Sequence, residues 1–184
     1  MGELETETFK NENIKPHIYC RYVDDIFIQV KSDEELIAIK NKFENKSALT
    51  FTFEKSIEKK LPFLDVLVDI NNNKFKTNVY RKTTNKGFCI NADGECIDRY
   101  KNSVISSYVS RAFKITTTWK DFHNECQHFK QLLVNNNFTN KMVDQQINKL
   151  LTQKLDKNIA KKKIKLIYFT EIKNTNIPIL TRKS

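Results

Sequence analysis

Two adjacent carboxylates, Asp24 and Asp25, stand in the middle of the run His17–Lys31, HIYCRYVDDIFIQVK. The residues on either side are β-branched, aromatic or otherwise apolar and alternate like strands. Two aspartates are unfavourable inside a strand but tolerated at the turn between two strands. An Asp pair is commonly no more than a solvated turn; apolar flanks on both sides mount this one on a hairpin. Such a tip suits a hard divalent cation, Mg²⁺ or Mn²⁺, because Mg²⁺ takes one or two protein carboxylates and fills its remaining positions with water and substrate phosphates. A pair of such ions can activate an attacking 3′ hydroxyl and stabilise a leaving pyrophosphate. Phosphoryl transfer asks mainly for positioning and charge neutralisation, so the carboxylates are the centre of such a site. Bound metal also relieves the mutual repulsion of neighbouring aspartates.

The elements that must hold this tip can be read outward from it. Ser32 with Glu35 three residues later makes a capping box, and Leu36, Ile39 and Phe43 follow at helical spacing, giving a helix from about 33 to 45. Strand-like runs come next at 49–54, 61–70 and 74–81, the last two joined through Asn71-Asn72-Asn73 as a hairpin. With 18–30 they are expected to form one antiparallel sheet against which the helix packs. Near residue 96 the pattern changes from period two to period 3.6. Tyr100, Val104, Tyr108 and Ala112 share a helical face, Trp119, Phe122, Cys126, Phe129 and Leu133 share another, and Val143, Ile147, Leu150 and Leu151 a third, with Thr139 as a cap. Asn135-Asn136-Asn137 separates the second helix from the third. A short strand at 166–172 and a trailing last dozen residues complete the reading. The fold class is therefore α+β: residues 1–96 with antiparallel strands, residues 97–165 a three-helix unit, residues 166–184 a tail.

The chain has 184 residues and carries 32 Lys and Arg against 22 Asp and Glu, a formal charge of +10. That surplus suits a polyanionic partner such as nucleic acid. Three Gly and three Pro exclude long flexible or Pro-rich linkers. No apolar run reaches the length of a membrane span, and the acidic, polar start Met1-Gly2-Glu3-Leu4-Glu5 is no secretory leader. The expected location is nuclear or cytoplasmic, where thiols stay reduced. A zinc site from Cys89, Cys96, His123 and Cys126 is conceivable, but no CxxC knuckle is present and His123 and His128 are not four apart. Ordinary buried or surface roles are the main expectation for these residues.

The ordered motifs resemble a family. Tyr22-Val23-Asp24-Asp25 is similar to the YxDD box of reverse transcriptases. Arg21 to Phe27 (RYVDDIF), Leu61 to Val66 (LPFLDV), and Tyr80-Arg81-Lys82-x-Thr84-x-x-Gly87, with Arg111-Ala112 in the following helix, resemble more narrowly the Penelope-like retroelement enzymes. The resemblance runs from Met1 to about Leu151; each motif alone is weak to moderate, and the ordered set is strong. It implies the C-terminal part of a polymerase palm followed by a helical thumb-like unit. Asp24 resembles the metal-ligating first Asp of the box, with Asp25 ligating or shaping the site. Tyr22 would lie near the primer terminus, and the hairpin from Leu61 to Tyr80 resembles the primer grip, with Phe63 and Leu64 more at home in core packing than on primer. Arg81, Lys82 and Lys86 would touch the phosphate backbone; a solvated basic turn is the plain alternative. The implied cofactor is Mg²⁺ or Mn²⁺, and the implied partners are an RNA template, a DNA primer duplex and an upstream reverse transcriptase half. Thr83 departs from the family's usual Pro, and the usual His-Pro is absent near Cys96. The fingers, the upstream aspartate and the Gly-rich nucleotide-selecting segment have no counterpart here, and no GIY-YIG endonuclease sequence follows. The isolated chain is thus expected to be inactive, a fragment of an RNA-directed DNA polymerase that works when completed.

Two rival readings are a non-catalytic nucleic-acid-binding helical module, its second and third helices arranged as a helix-turn-helix around 135–138, and an inert retroelement relic. The basic stretch Lys157 to Lys165, which includes Lys161, Lys162 and Lys163, is expected to grip phosphate. Affinity for RNA–DNA or DNA duplex should therefore fall with salt and show little sequence preference. In a titration from low to high ionic strength, each phosphate-contacting Lys→Ala should flatten the log–log slope by roughly 0.9; binding indifferent to salt would rule the idea out.

Overall fold

The computed structural model describes residues 2–10, 16–71, 74–161 and 178–182. It is α+β, with small antiparallel sheets and, among the described residues, five helices. In chain order the elements are α1 (Gly2–Lys10), β1 (Ile18–Tyr22), β2 (Asp25–Gln29), α2 (Asp33–Asn45), β3 (Phe51–Lys55), β4 (Lys60–Phe63), β5 (Val66–Asn71), β6 (Lys74–Val79), α3 (Asp98–Ile115), α4 (Trp119–Asn135), α5 (Asn140–Lys161) and β7 (Pro178–Arg182). They fall into two compact units, residues 1–75 with 169–184, and residues 76–168.

The first unit is built around β2. Its residues Ile26 to Val30 are all buried, the signature of a central strand covered on both faces. Alternation sends Ile26, Ile28 and Val30 to one face, where they pack with Leu4 of α1, Leu36, Ile39 and Phe43 of α2, and Phe51 of β3. Phe27 goes to the other face and packs with Leu61, Phe63 and Phe75. Each fully buried side chain of this size stabilises the fold by about 1.5–3 kcal/mol. Helix α2 begins as its sequence predicts: the Ser32 hydroxyl accepts from the Glu35 amide at 3.4 Å. The Glu35 carboxylate reaches back to the amide of Lys31 at 2.8 Å, so two otherwise unsatisfied amides at the helix entrance are met.

The strands depart from the single sheet expected from the sequence. Two sheets form, one in the order β1-β2-β7-β3 and one in the order β4-β5-β6. β3 does not pair with β2; β7 lies between them, antiparallel to both, with Thr181 opposite Asp25 on one side and Thr52 on the other. The reason is physical. β2 has β1 on one edge only, and a buried central strand cannot leave the amides of its second edge without partners. Residues 178–182, expected to trail off, supply them. The strand expected at 166–172 lies outside the described residues. The run Leu61–Ile70 is also not one strand. It folds back at Leu64-Asp65 into the β4–β5 hairpin, with Phe63 opposite Val66. Pro62, which has no amide hydrogen, sits on β4 at the sheet edge.

The second unit begins at Lys76, upstream of the division near residue 96 expected from periodicity. β6 and the segment after it are tied to the helical unit: the Thr77 amide donates to Thr117 Oγ1 at 3.0 Å, and the Ala92 amide to the Asn136 carbonyl at 2.9 Å. The three helices stand where the 3.6-residue pattern places them. Thr118 caps α4 by accepting from the Asp121 amide at 3.1 Å, and Thr139 accepts from the Met142 amide at the start of α5 at 3.3 Å. Their core is Ile105, Val109, Ala112, Phe122, Phe129, Leu133, Phe138 and Val143. None of the described helices is long and apolar enough to cross a membrane.

If β7 holds β2 and β3 in one sheet, a chain ending at Lys161 should unfold at lower urea concentration and lose amide exchange protection at Ile26 and at Thr52 and Glu54, whose amides face β7 in this register. Unchanged protection in both strands would show that β7 is dispensable.

Candidate metal hairpin and nucleic-acid interface

β1 and β2 meet in a two-residue turn, with Tyr22 opposite Asp25 and Val23-Asp24 as the loop. Right-handed strand twist favours hairpin turns with positive φ at the first or at both loop positions. Here Val23 has φ 53° and Asp24 does not join it, the sign pattern of a II′ turn. Glycine is the usual occupant of that first position. A β-branched Val there is a genuine outlier, storing about 1–3 kcal/mol of strain. Arg21 helps hold it: its guanidinium donates to the Val23 carbonyl at 3.2 Å and is ion-paired with Glu5 of α1. Tyr19, two residues earlier on the same face, donates to the same Glu5 carboxylate at 2.8 Å. Burial, reinforced by that bond, pushes the phenol far above its ordinary pKa, so it remains a donor throughout the physiological range. The tip is thus anchored to helix α1 on one side and to the buried β2 on the other.

At the tip, Asp24 is exposed and Asp25 half-buried, while Tyr22 and Val23 are 61% and 64% exposed. The arrangement presents an aromatic ring, an aliphatic side chain and adjacent carboxylates to solvent from a fixed backbone. Among the described residues no group of three or more His, Cys, Asp or Glu gathers in one place. Two adjacent carboxylates are fewer than a two-ion centre needs, so Asp24 and Asp25 do not by themselves make one. Asp65 is exposed in the β4–β5 turn and Asp69 faces Lys60 across that hairpin. The four residues of the conceivable zinc site do not assemble either. Cys126 is buried, and burial first, then the neighbouring Glu125 charge, pushes its thiol up to about 12. A buried neutral thiol of this kind is core packing.

The expected phosphate contacts lie in the second unit and have different surroundings. Arg81 is half-buried and ion-paired with Glu125 of α4, so a phosphate there would compete with an existing carboxylate. Lys82 and Lys86 are exposed. Lys161 ends α5, and Lys162 and Lys163 lie outside the described residues. Sequence reasoning missed Glu125 as the partner of Arg81, Asp121 as the partner of Lys76 at 3.1 Å, and the strained Val23. Charge pairing 44 residues apart leaves no local signal. The apolar residue at a tight hairpin loop did offer one, since φ above zero is the rule there.

Relieving the turn should show the strain directly. Val23→Gly should raise stability by about 1 kcal/mol, the strain relieved less glycine's extra chain entropy, read as a higher urea midpoint at unchanged slope. A lower midpoint would mean that Val23 is comfortable as it stands.

Residues 97–148, spanning α3, α4 and the first part of α5, match the family model of an animal helix-turn-helix domain. No curated protein and no solved structure gives a significant match to the chain. The likeness covers little more than a quarter of the chain, and it is to the helical unit alone.

Proposed function

We propose that the first unit is the C-terminal part of a reverse transcriptase palm of the Penelope-like kind, and that the helices of the second unit hold the nucleic acid on which it acts. The observation that carries this reading is the placement of Asp24 and Asp25. They sit at the tip of a tight, strained hairpin whose second strand is the most buried in the unit. A solvated surface turn has no need of such mounting. A divalent cation bound there would neutralise phosphate charge and lower the barrier to attack by a 3′ hydroxyl. Asp24, exposed at the tip, takes the ligating role; Asp25, half-buried and held in register with Tyr22, fixes the geometry of the pair. Tyr22 offers its ring to a sugar or base beside the carboxylates. Lys82 and Lys86 supply phosphate contacts, and Arg81 contributes only where it leaves Glu125. Template RNA and DNA primer are the substrates of this reading.

A second reading has support of its own. The helix-turn-helix likeness of residues 97–148 favours a module that binds DNA without chemistry. In α5, however, Val143 is buried, and Met142, Ile147, Leu150 and Leu151 pack on the helical core. That face is consumed by packing, which leaves a narrower one for reading a groove. Dependence on divalent metal separates the two readings.

The catalytic reading requires further carboxylate from outside the described residues. A segment delivering it beside Asp25 by strand pairing must take the edge of β2 that β7 occupies, since β1 holds the other. Primer extension should therefore be undetectable for the 184-residue chain. It should appear, Mg²⁺-dependent, when a complete upstream half from a related element is fused in frame, and grow stronger when residues 178–182 are deleted from the fusion. Asp24→Asn should abolish it with primer–template binding retained. Robust extension by the isolated chain, or by the fused Asp24→Asn variant, would refute the assignment.

A further inference from the structure

The second unit contains a cleft of about 470 Å³ between the loop after β6 and the last turns of α4. On its rim stands Phe88, 85% exposed and the most exposed aromatic ring among the described residues. Phe is among the residue types most often buried. This one is held out by its backbone. The side chain of Asn136, the C-cap of α4, donates to the Gly87 carbonyl at 3.3 Å and accepts from the Cys89 amide at 3.4 Å. One amide therefore clamps the peptide groups on both sides of Phe88. Asn136 is itself fixed by donating to the Leu132 carbonyl at 2.8 Å. Gly87 completes the bend: its φ is +71°, a conformation strained for any other residue, and a Cβ there would lie 2.8 Å from the end of the Leu132 side chain, which would have to move. The Asn85 carboxamide accepts from the Gly87 amide at 2.9 Å.

The remaining lining has a definite chemistry. Arg81 and Lys86 are basic, and His128, Gln131 and Asn135 present donors and acceptors from α4. Because α4 ends at the cleft, the negative end of its dipole lies there. That disfavours a phosphate on the helix side and favours a neutral group with polar edges, while Lys86 on the loop side suits a phosphate. A rigid exposed ring, amide and imidazole groups beside it, a cation at the margin and a chain of charge +10 are together the features of a stacking platform for single-stranded nucleic acid. The geometry points to an unpaired nucleobase stacked on Phe88, with its edge toward His128, Gln131 and Asn135 and its phosphate toward Lys86. An apolar peptide could also cover the ring, but it would leave Lys86 and the exposed His128 unmatched.

This site lies within the helical unit and holds whether or not Asp24 and Asp25 bind metal. The test is made on the full chain without divalent cation. Fluorescence anisotropy measures affinity for a single-stranded oligonucleotide, for the same strand with one abasic position, and for its duplex. A 2-aminopurine base reports stacking by quenching. Phe88→Ala should weaken binding of the intact single strand about tenfold and remove the quenching, while changing affinity for the abasic strand and the duplex less than twofold. Phe88→Trp should restore both signals. Asn136→Ala, which frees the loop and leaves the ring, should lose part of the quenching. Phe88→Ala with unchanged single-strand affinity, equal losses on single strand and duplex, or absence of quenching in the unaltered chain would each overturn the proposal. The last two would leave the ring as a general or protein-docking surface.

Discussion

Strand β2 must be covered on both faces and paired on both edges, and most of the first unit follows from that requirement. Ile26, Ile28 and Val30 need α1 and α2 over one face, with Phe51 of β3 beside them; Phe27 needs Leu61, Phe63 and Phe75 over the other. A strand with that demand is a rigid support, and the Asp24-Asp25 turn is its first exposed point. Strain at Val23 persists because the flanking register, from Tyr22 with Asp25 to Ile18 with Gln29, over-determines the backbone. The same demand explains β7. An open edge on so buried a strand would be an aggregation site, and residues 178–182 close it.

Closing that edge sets a condition on function. β7 brings Thr181 level with Asp25, where the proposed chemistry calls for another carboxylate. The edge that β7 occupies is thus the one that the proposed chemistry would also need. In the proposed enzyme, β7 is the strand that a completing segment would have to replace. The second unit carries its own logic. Its helices pack a continuous core, and the segment from Lys76 to Cys96 is pinned to them by paired charges and by Asn136.

The patterns that repeat locally were readable in the sequence. Capping at Ser32 and Thr139, the apolar faces of α2 to α5 and the turn at Asp24 all rest on spacings of two to four residues. What was not readable depends on partners far along the chain. The pairing of 178–182 with residues more than a hundred positions earlier has no sequence periodicity to announce it, since a five-residue strand and a frayed tail look alike. Leu61–Ile70 was read as one strand because its apolar run is nearly continuous; the break at Leu64-Asp65 needs positive φ at a leucine, which propensity argues against. Asn135-Asn136-Asn137 was legible as a helix breaker, whereas the clamp that Asn136 makes around Phe88 depends on a loop 47 residues away.

The account rests on the claim that a divalent cation is held at the tip of the β1–β2 hairpin. Paramagnetic broadening by Mn²⁺ reads this residue by residue in the amide NMR spectrum of the labelled chain, with primer–template present to supply phosphate oxygens. The account predicts broadening at substoichiometric Mn²⁺ centred on Tyr22 to Asp25 and lost in Asp24→Asn. Broadening centred on other carboxylates, or unchanged at the hairpin in Asp24→Asn, would contradict it.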